Sequence, residues 1–353
     1  MPANSGLDIQ SQTHSAAIHS TVGIVGAGSI GCFLGAVLAQ DKSLSVQFFG
    51  REALGLELAA YGLSAGFPGG NASAIAPAFY TSLVSLIDCD VILLTVKATS
   101  LPHLIPQLKK FIRPDVPVIA LQNGIGVDTM LSASLSNPVY RAVVPFNVVK
   151  TGPGHFQQTS SGQLLWPQCN DNKLSYLAAI FRQHGLGILS CADMRAVEYG
   201  KLLLNLNNAL NAVSGLPLKQ QLLQADLRQV LAAAMQEWLL VCQKLQIKPQ
   251  AITALPNHLL PALLRLPTWL FKLLARQMLS IDDAARSSMW DDIQAGRRTE
   301  VMYLNGAVVR LGIETGVPTP VNSAIVELIK HLEQGEQLNM SPAALRQHLL
   351  GTG

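Results

Sequence analysis

The stretch STVGIVGAGSIGCFLGAVLA, residues 20–39, passes from an apolar run through G-x-G-x-x-G into an apolar run of helical spacing. Val22–Val25 reads as a buried strand and Ile30–Ala39 as a helix, with Gly26, Gly28 and Gly31 at the turn between them. In that context the first glycine allows the tight turn, the second lets backbone approach a pyrophosphate, and the third lets helix and strand pack closely. The helix start at Ser29, Ile30 and Gly31 offers free N–H groups and a partial positive charge to phosphate oxygens. These residues are therefore candidates for binding a dinucleotide.

The pattern around the loop extends this reading. Ser45–Phe49, Val91–Val96 and Val116–Leu121 are further short apolar runs, and Leu101–Phe111 is helix-like between two of them. Strands alternating with helices predict a parallel sheet covered on its faces, so the N-terminal part is an α/β, doubly wound, Rossmann-type domain. Strand-like runs stop near Ala192. Asp193 is placed to cap a helix that ends at Gly215 and Pro217, and Ala225–Leu245, Met289–Ala295, Glu300–Gly312 and Pro320–Glu333 follow as helical segments. The expected organisation is a disordered tail over residues 1–20, a Rossmann-type dinucleotide-binding domain over 21–191, and an all-helical domain over 192–353. The Leu-rich stretch Ala254–Ile281 contains Pro256, Pro261 and Pro267 together with Arg265, Lys272 and Arg276. Such interruptions do not suit a membrane span, and short helical hairpins are expected there.

Composition excludes other classes. The 353 residues are 49% hydrophobic and 13% charged, with a net charge of +3, and without a long basic run nucleic acid is not an expected partner. The five cysteines, Cys32, Cys89, Cys169, Cys191 and Cys242, are scattered and never spaced as C-x-x-C. That pattern fits a reducing, cytoplasmic setting and predicts no metal centre. Residues 1–20 carry no Lys or Arg and do not read as a secretory signal.

Three strand ends carry polar groups. About 20 residues past the glycines, where NAD proteins usually offer an acidic residue, Arg51 follows the second strand. Its guanidinium suits a 2′-phosphate, so NADP(H) is the expected cofactor. Lys97 ends the strand VILLTV, and Gln122, Asn123 and Gly124 end the strand VIAL. In open α/β sheets ligands lie outside the carboxyl ends of strands, which makes Lys97 and Asn123 candidates at the cofactor edge.

The helical half carries a polar stripe within an apolar helix. In EYGKLLLNLNNALNAVSG, Lys201, Asn205 and Asn208 recur at i, i+4 and i+7, on one face. Burying them unpaired is costly, so the stripe is either a hydrated outer face or a grip on an oxygen-rich substrate. Downstream, Ser288 is placed to start a short helix that Gly296 ends, and Thr299 to cap the next, with Glu300 in its first turn beside Arg297. On one straight helix Ser288 and Glu300 would stand about 18 Å apart, so a turn at Gly296 is needed for them to share a small ligand.

Taken together, GAGSIG, Arg51, VKA, QNG, KLLLN, SSMWDDI and RRTEVMYLNGAVVRLG, spread from Thr21 to Glu333, resemble the ketopantoate reductase (2-dehydropantoate 2-reductase) family. The resemblance implies NADPH-dependent reduction of ketopantoate to pantoate, a step toward pantothenate and coenzyme A. It implies Lys201 as general acid and Glu300 as the second catalytic residue, holding the substrate hydroxyl. Ser288 is implied at the substrate carboxylate, Asn205, Asn208 and Asn123 at its polar groups, and Lys97 and Asn123 at the nicotinamide end. Asp292 matches an acidic position with a supporting role. Ala209 stands where many members carry their second asparagine, one residue after Asn208, and Met302 replaces a common aspartate. The sequence is compatible with a homodimer. Reduction of another 2-keto or 3-hydroxy acid, and NADPH sensing without catalysis, are the alternatives; the latter needs neither Lys201 nor Glu300.

Overall fold

A computed structural model describes residues 20–351 apart from 69, 277 and 281, so nearly all of the tail expected over residues 1–20 lies outside the described residues. The strands are β1 (Ser20–Val25), β2 (Leu44–Phe49), β3 (Leu63–Phe67), β4 (Gly70–Ile75), β5 (Ala78–Tyr80), β6 (Val91–Leu94), β7 (Val118–Ala120), β8 (Val139–Arg141), β9 (Val148–Gly152), β10 (His155–Gln158), β11 (Leu164–Pro167) and β12 (Ile188–Cys191). The helices α1 (Ser29–Leu38), α2 (Glu52–Tyr61), α3 (Leu101–Phe111), α4 (Val127–Ser134) and α5 (Asn172–Gln183) lie among them. Beyond them come α6 (Met194–Ser214), α7 (Leu218–Leu223), α8 (Ala225–Lys244), α9 (Leu260–Leu264), α10 (Thr268–Leu274), α11 (Ser288–Gln294), α12 (Asn305–Thr315), α13 (Pro320–Glu333) and α14 (Pro342–Leu350).

The main sheet has the order β5-β2-β1-β6-β7-β8 and is parallel throughout. Its order reverses at β1, whose neighbours are β2 and β6, and ligands of doubly wound sheets lie above such a switch point. The central strands β6 and β7 and most of β1 are buried on both faces, which is why they read as continuous apolar runs: β6 is Val91-Ile92-Leu93-Leu94, all buried. A second sheet, β4-β3-β10-β9, was not foreseen. Its strands GNASAI and VVKTG mix small, polar and exposed residues and lack an apolar signature.

The helical half is built around α6. Asp193 caps it as expected, its carboxylate accepting from the Ala196 N–H at 2.9 Å, and Gly215 ends it. Leu202, Leu203, Leu206 and Leu210 enter a core shared with Trp238 of α8 and Ile325 of α13. The segment expected as one helix over Glu300–Gly312 is instead a 3-10 turn, Val301–Tyr303, broken at Leu304 from α12, which runs past Gly312 to Thr315. Gly312 is needed there for close packing rather than termination: a Cβ would lie 2.7 Å from Thr319 and 2.8 Å from the Val317 carbonyl.

The Leu-rich segment folds as short helices, as its prolines require. Pro261 stands in the first turn of α9 and Pro267 immediately precedes α10. Helices this short leave most of their carbonyls without intrahelical donors. The buried guanidinium of Arg228 supplies two donors here, to the carbonyl of Leu264 at the end of α9 and to that of Leu266 between α9 and α10, at 3.0 Å each, and rests on the Phe271 ring at 4.5 Å. Among the described residues no helix is long and apolar enough to cross a membrane.

Candidate active site

The glycine loop sits at the switch point of the main sheet. Gly26 has φ +104°, a conformation that disfavours side chains, and a Cβ there would lie 2.4 Å from the Val96 N. A Cβ on Gly31 would lie 2.4 Å from the Gly26 carbonyl. The fold itself therefore demands these two glycines. Gly28 differs: its φ of −98° is ordinary and a Cβ would meet nothing within 4 Å. No internal packing requires glycine at that position, and the bare backbone opens onto the N-terminus of α1, where the amides of Ser29, Ile30 and Gly31 precede the first intrahelical bond, Cys32 N–H to Gly28 C=O at 2.9 Å. This arrangement fits a dinucleotide pyrophosphate.

The Gly26 and Ala27 N–H groups both donate to Phe49 C=O at 3.0 Å, which ties the loop to the end of β2. Arg51 follows after Gly50, exposed; its carbonyl accepts from the Leu54 and Gly55 N–H groups, while its guanidinium makes no hydrogen bond or ion pair among the described residues.

Across the cleft, α6 presents its polar stripe to the sheet. Lys201 is half-buried and donates from Nζ to Asn123 Oδ1 and to the Val144 carbonyl, both at 2.7 Å. The stripe is therefore not a hydrated outer face at this position. Asn205, one turn on, lines the same small cavity as Asn123 and Lys201. Asn208 lies where α6 meets α11, its carbonyl accepting from Ser287 Oγ at 2.9 Å. Burial, and then the nearby Arg141 guanidinium, push the Lys201 ammonium down to about 8, while Glu300 and Glu198 oppose the shift.

Glu300 reaches back to the sheet: its Oε1 accepts from the Ala98 N–H at 2.8 Å. Burial raises its pKa, opposed by the Ala98 N–H, by the Lys97 charge and by the Asn123 amide. Lys97 crosses the cleft in the opposite direction and pairs with the buried Asp292 of α11. Asp292 also accepts from Arg297 at 3.0 Å, so Arg297 is paired with Asp292 rather than with Glu300. The turn at Gly296 is present, and it brings Asp292 and Glu300 against the same strand end.

One capping assignment changes. The N-cap of α11 is Ser287, whose Oγ accepts from the Trp290 N–H at 3.2 Å, and Ser288 is the exposed first residue of the helix. Two adjacent serines satisfy the capping preference equally in sequence. The hydrogen bond from Ser287 to the Asn208 carbonyl on α6 selects the first.

Two charged residues of the site were missed. Arg141 ends β8 and forms a buried ion pair with Glu198 on α6, three residues before Lys201. Glu198 had a signal, since i and i+3 share a helix face. Arg141 had a weak one, as a charged residue ending a three-residue strand among apolar neighbours.

Lys97, Asn123, Lys201 and Glu300 thus meet at the carboxyl ends of β6 and β7, and the glycine loop lies at the end of the adjacent β1. A glycine-loop sheet closed by a helical domain that supplies a lysine opposite the strand ends defines a two-domain, nicotinamide-dependent oxidoreductase. Residues 22–171 match the family model ketopantoate reductase PanE/ApbA and residues 193–333 match its C-terminal model, so the chain belongs to the ketopantoate reductase family. It is 25% identical over 323 residues to 2-dehydropantoate 2-reductase of Archaeoglobus fulgidus, covering 89% of this chain and 98% of the relative. With the Pyrobaculum aerophilum enzyme of the same name it shares 30% identity over 249 residues, 70% of this chain and 78% of that one. The crystal structure of a PanE/ApbA family ketopantoate reductase from Ralstonia eutropha superposes with a TM-score of 0.75 at 26% identity, covering 89% of this chain and 99% of that one. D-mandelate dehydrogenase, solved with NADH and anilino(oxo)acetate, shares the fold with a TM-score of 0.72 at 23% identity, over 91% and 100% of the two chains.

Proposed function

We propose that this protein reduces ketopantoate to pantoate with NADPH, with residues 21–191 binding the cofactor and residues 192–353 supplying the proton donor and most of the substrate contacts. The observation that carries the reading is Lys201: a half-buried ammonium with two of its three donors engaged, held by Asn123 at the carboxyl ends of the strands. Its third N–H is left for a substrate oxygen.

A reduced nicotinamide dinucleotide, when bound, would supply the hydride. The amides of Ser29, Ile30 and Gly31 would hold its pyrophosphate, and Arg51 the 2′-phosphate that distinguishes NADPH. Lys201 donates to the ketone oxygen, favours charge building there, and leaves its proton on the product hydroxyl. An acid so placed contributes typically about 10²–10⁴-fold. Glu300, anchored by the Ala98 N–H, accepts from the substrate hydroxyl with its remaining oxygen. Asn205, Asn208 and Ser288 orient the substrate, with Ser288 at the carboxylate. Asp292 keeps Lys97 at the strand end in this structure. The proposed setting is the cytoplasm.

The test is NADPH oxidation by the purified protein with ketopantoate and with a panel of linear, branched and aromatic 2-keto acids. Ketopantoate should have the highest kcat/KM. A different keto acid at the top of the ranking would retain the reaction and replace the substrate; NADPH binding with no turnover of any acid would support sensing instead.

A further inference from the structure

Arg141 is an unusual residue to find behind an active-site lysine. It is buried with its partner Glu198, their side chains 5% and 7% exposed, and such pairs gain little over apolar packing once desolvation is counted. Its hydrogen bonds show where it acts. Nη1 donates to the Ala120 carbonyl at 3.3 Å, and Nη2 to the carbonyls of Gln122 at 2.9 Å and Gly124 at 3.4 Å. Nε pairs with Glu198. One rigid guanidinium therefore binds carbonyls on both sides of Asn123 and, in the same plane, the carboxylate one turn before Lys201. The loop is held from the other side as well: Ile125 N–H donates to the Tyr303 carbonyl at 3.0 Å, and a Cβ on Gly124 would lie 2.3 Å from that same carbonyl. Gln122 Nε2 fastens it to the Leu94 carbonyl at 2.8 Å.

We infer that Arg141 and Glu198 form a positioning latch between the nucleotide-binding domain and α6, holding the Gln122–Gly124 loop so that Asn123 fixes the direction in which Lys201 presents its proton. The inference rests on the reading of Lys201 as proton donor. Neither latch residue needs to touch the substrate.

The charges facing Lys201 are Arg141 from β8, Glu198 from its own helix and Glu300 from the segment before the 3-10 turn; Asp128 of α4 acts on Glu198. Neutralising Glu198 alone would leave Arg141 uncompensated beside Lys201, which favours the neutral amine. Neutralising both would remove the larger downward push of Arg141 together with the smaller upward one of Glu198, so the ammonium would return at least to its wild-type balance without the loop being restored.

Two readouts on the full-length protein test this. Trace acetylation of Lys201 against pH, read by mass spectrometry, reports its protonation whether or not the protein turns over a keto acid. NADPH oxidation with ketopantoate reports kcat and KM. Glu198→Gln keeps the shape and a hydrogen-bond acceptor; its acetylation midpoint should fall by about one pH unit, with the alkaline limb of kcat/KM following. Arg141→Lys keeps the charge but cannot span the loop carbonyls; kcat should drop about 10–100-fold while KM changes by less than about threefold. The double variant Arg141→Met, Glu198→Gln leaves no lone buried charge and carries the positional test if Arg141→Lys does not fold. Its midpoint should lie at or above the wild-type value, with kcat still at least about tenfold low. An unmoved midpoint in Glu198→Gln, or wild-type kcat in the folded arginine variants, would overturn the latch. Absence of any keto-acid reduction by the wild type would instead overturn the reaction, and the acetylation midpoints would then decide the latch alone.

Discussion

Lys201 gives the sharpest prediction because its environment sets both a magnitude and a pH window. An ordinary lysine would stay protonated to about pH 10, and a lysine acid would then give a flat rate across the neutral range. In this site burial and Arg141 bring the ammonium down to about 8. Reduction needs the protonated form, so about nine-tenths of the protein is competent at pH 7 and about one-tenth at pH 9. The kcat/KM for ketopantoate should therefore fall about tenfold across that interval, as the form able to donate is lost above about 8. Lys201→Ala removes the acid and should lower kcat by about 10²–10⁴-fold, or about 2.7–5.4 kcal/mol of barrier. The helix should persist, since Ala is the better helix former, and NADPH affinity should hold, since the loop at Gly26–Gly31 is untouched. The assay is loss of NADPH absorbance at saturating cofactor over a pH series, with circular dichroism and NADPH titration as controls. A flat profile through pH 9, or a folded alanine variant within about threefold of wild type, would refute the assignment of Lys201 as acid.

Four other outcomes are expected. NADPH should bind more tightly than NADH, and Arg51→Ala should erase most of the difference, about 1.5–3 kcal/mol by calorimetry, because no other group in the described residues engages that guanidinium. Gly28→Val should abolish cofactor binding while leaving the melting temperature nearly unchanged, since a Cβ there meets nothing within 4 Å; Gly26→Val, which would clash with Val96, should destabilise the fold itself. Glu300→Gln should keep the bond from Ala98 and NADPH affinity but raise the KM for ketopantoate by about tenfold or more, from the loss of one charged hydrogen bond of about 1.5–3 kcal/mol. Arg228→Ala should destabilise the helical half by about 2–4 kcal/mol in denaturant titration, by stranding the carbonyls of Leu264 and Leu266, with little effect on NADPH affinity.

Much of the architecture was legible in the chain because it rests on local physics. The glycine turn, the buried parallel strands and the capped ends of α6 each follow from residues close in sequence, and each lies where the pattern predicts. The polar stripe Lys201–Asn205–Asn208 was visible by helical spacing, although spacing could not say whether it met water or protein. The choice was made by the Val144 carbonyl and by Asn123, 78 residues away in the chain. The second sheet had no apolar alternation to announce it. Lys97 and Asp292, 195 residues apart, and Arg141 and Glu198, 57 apart, are pairings between domains. A local window holds one member of each pair and not the other. Sequence alone therefore determined the elements, the phosphate-binding turn and the residues able to do chemistry. Only the tertiary structure decided which of the two serines caps α11, which carboxylate neutralises which cation, and which charges surround Lys201, because electrostatic energy in a buried site depends on distances that no spacing along the chain encodes.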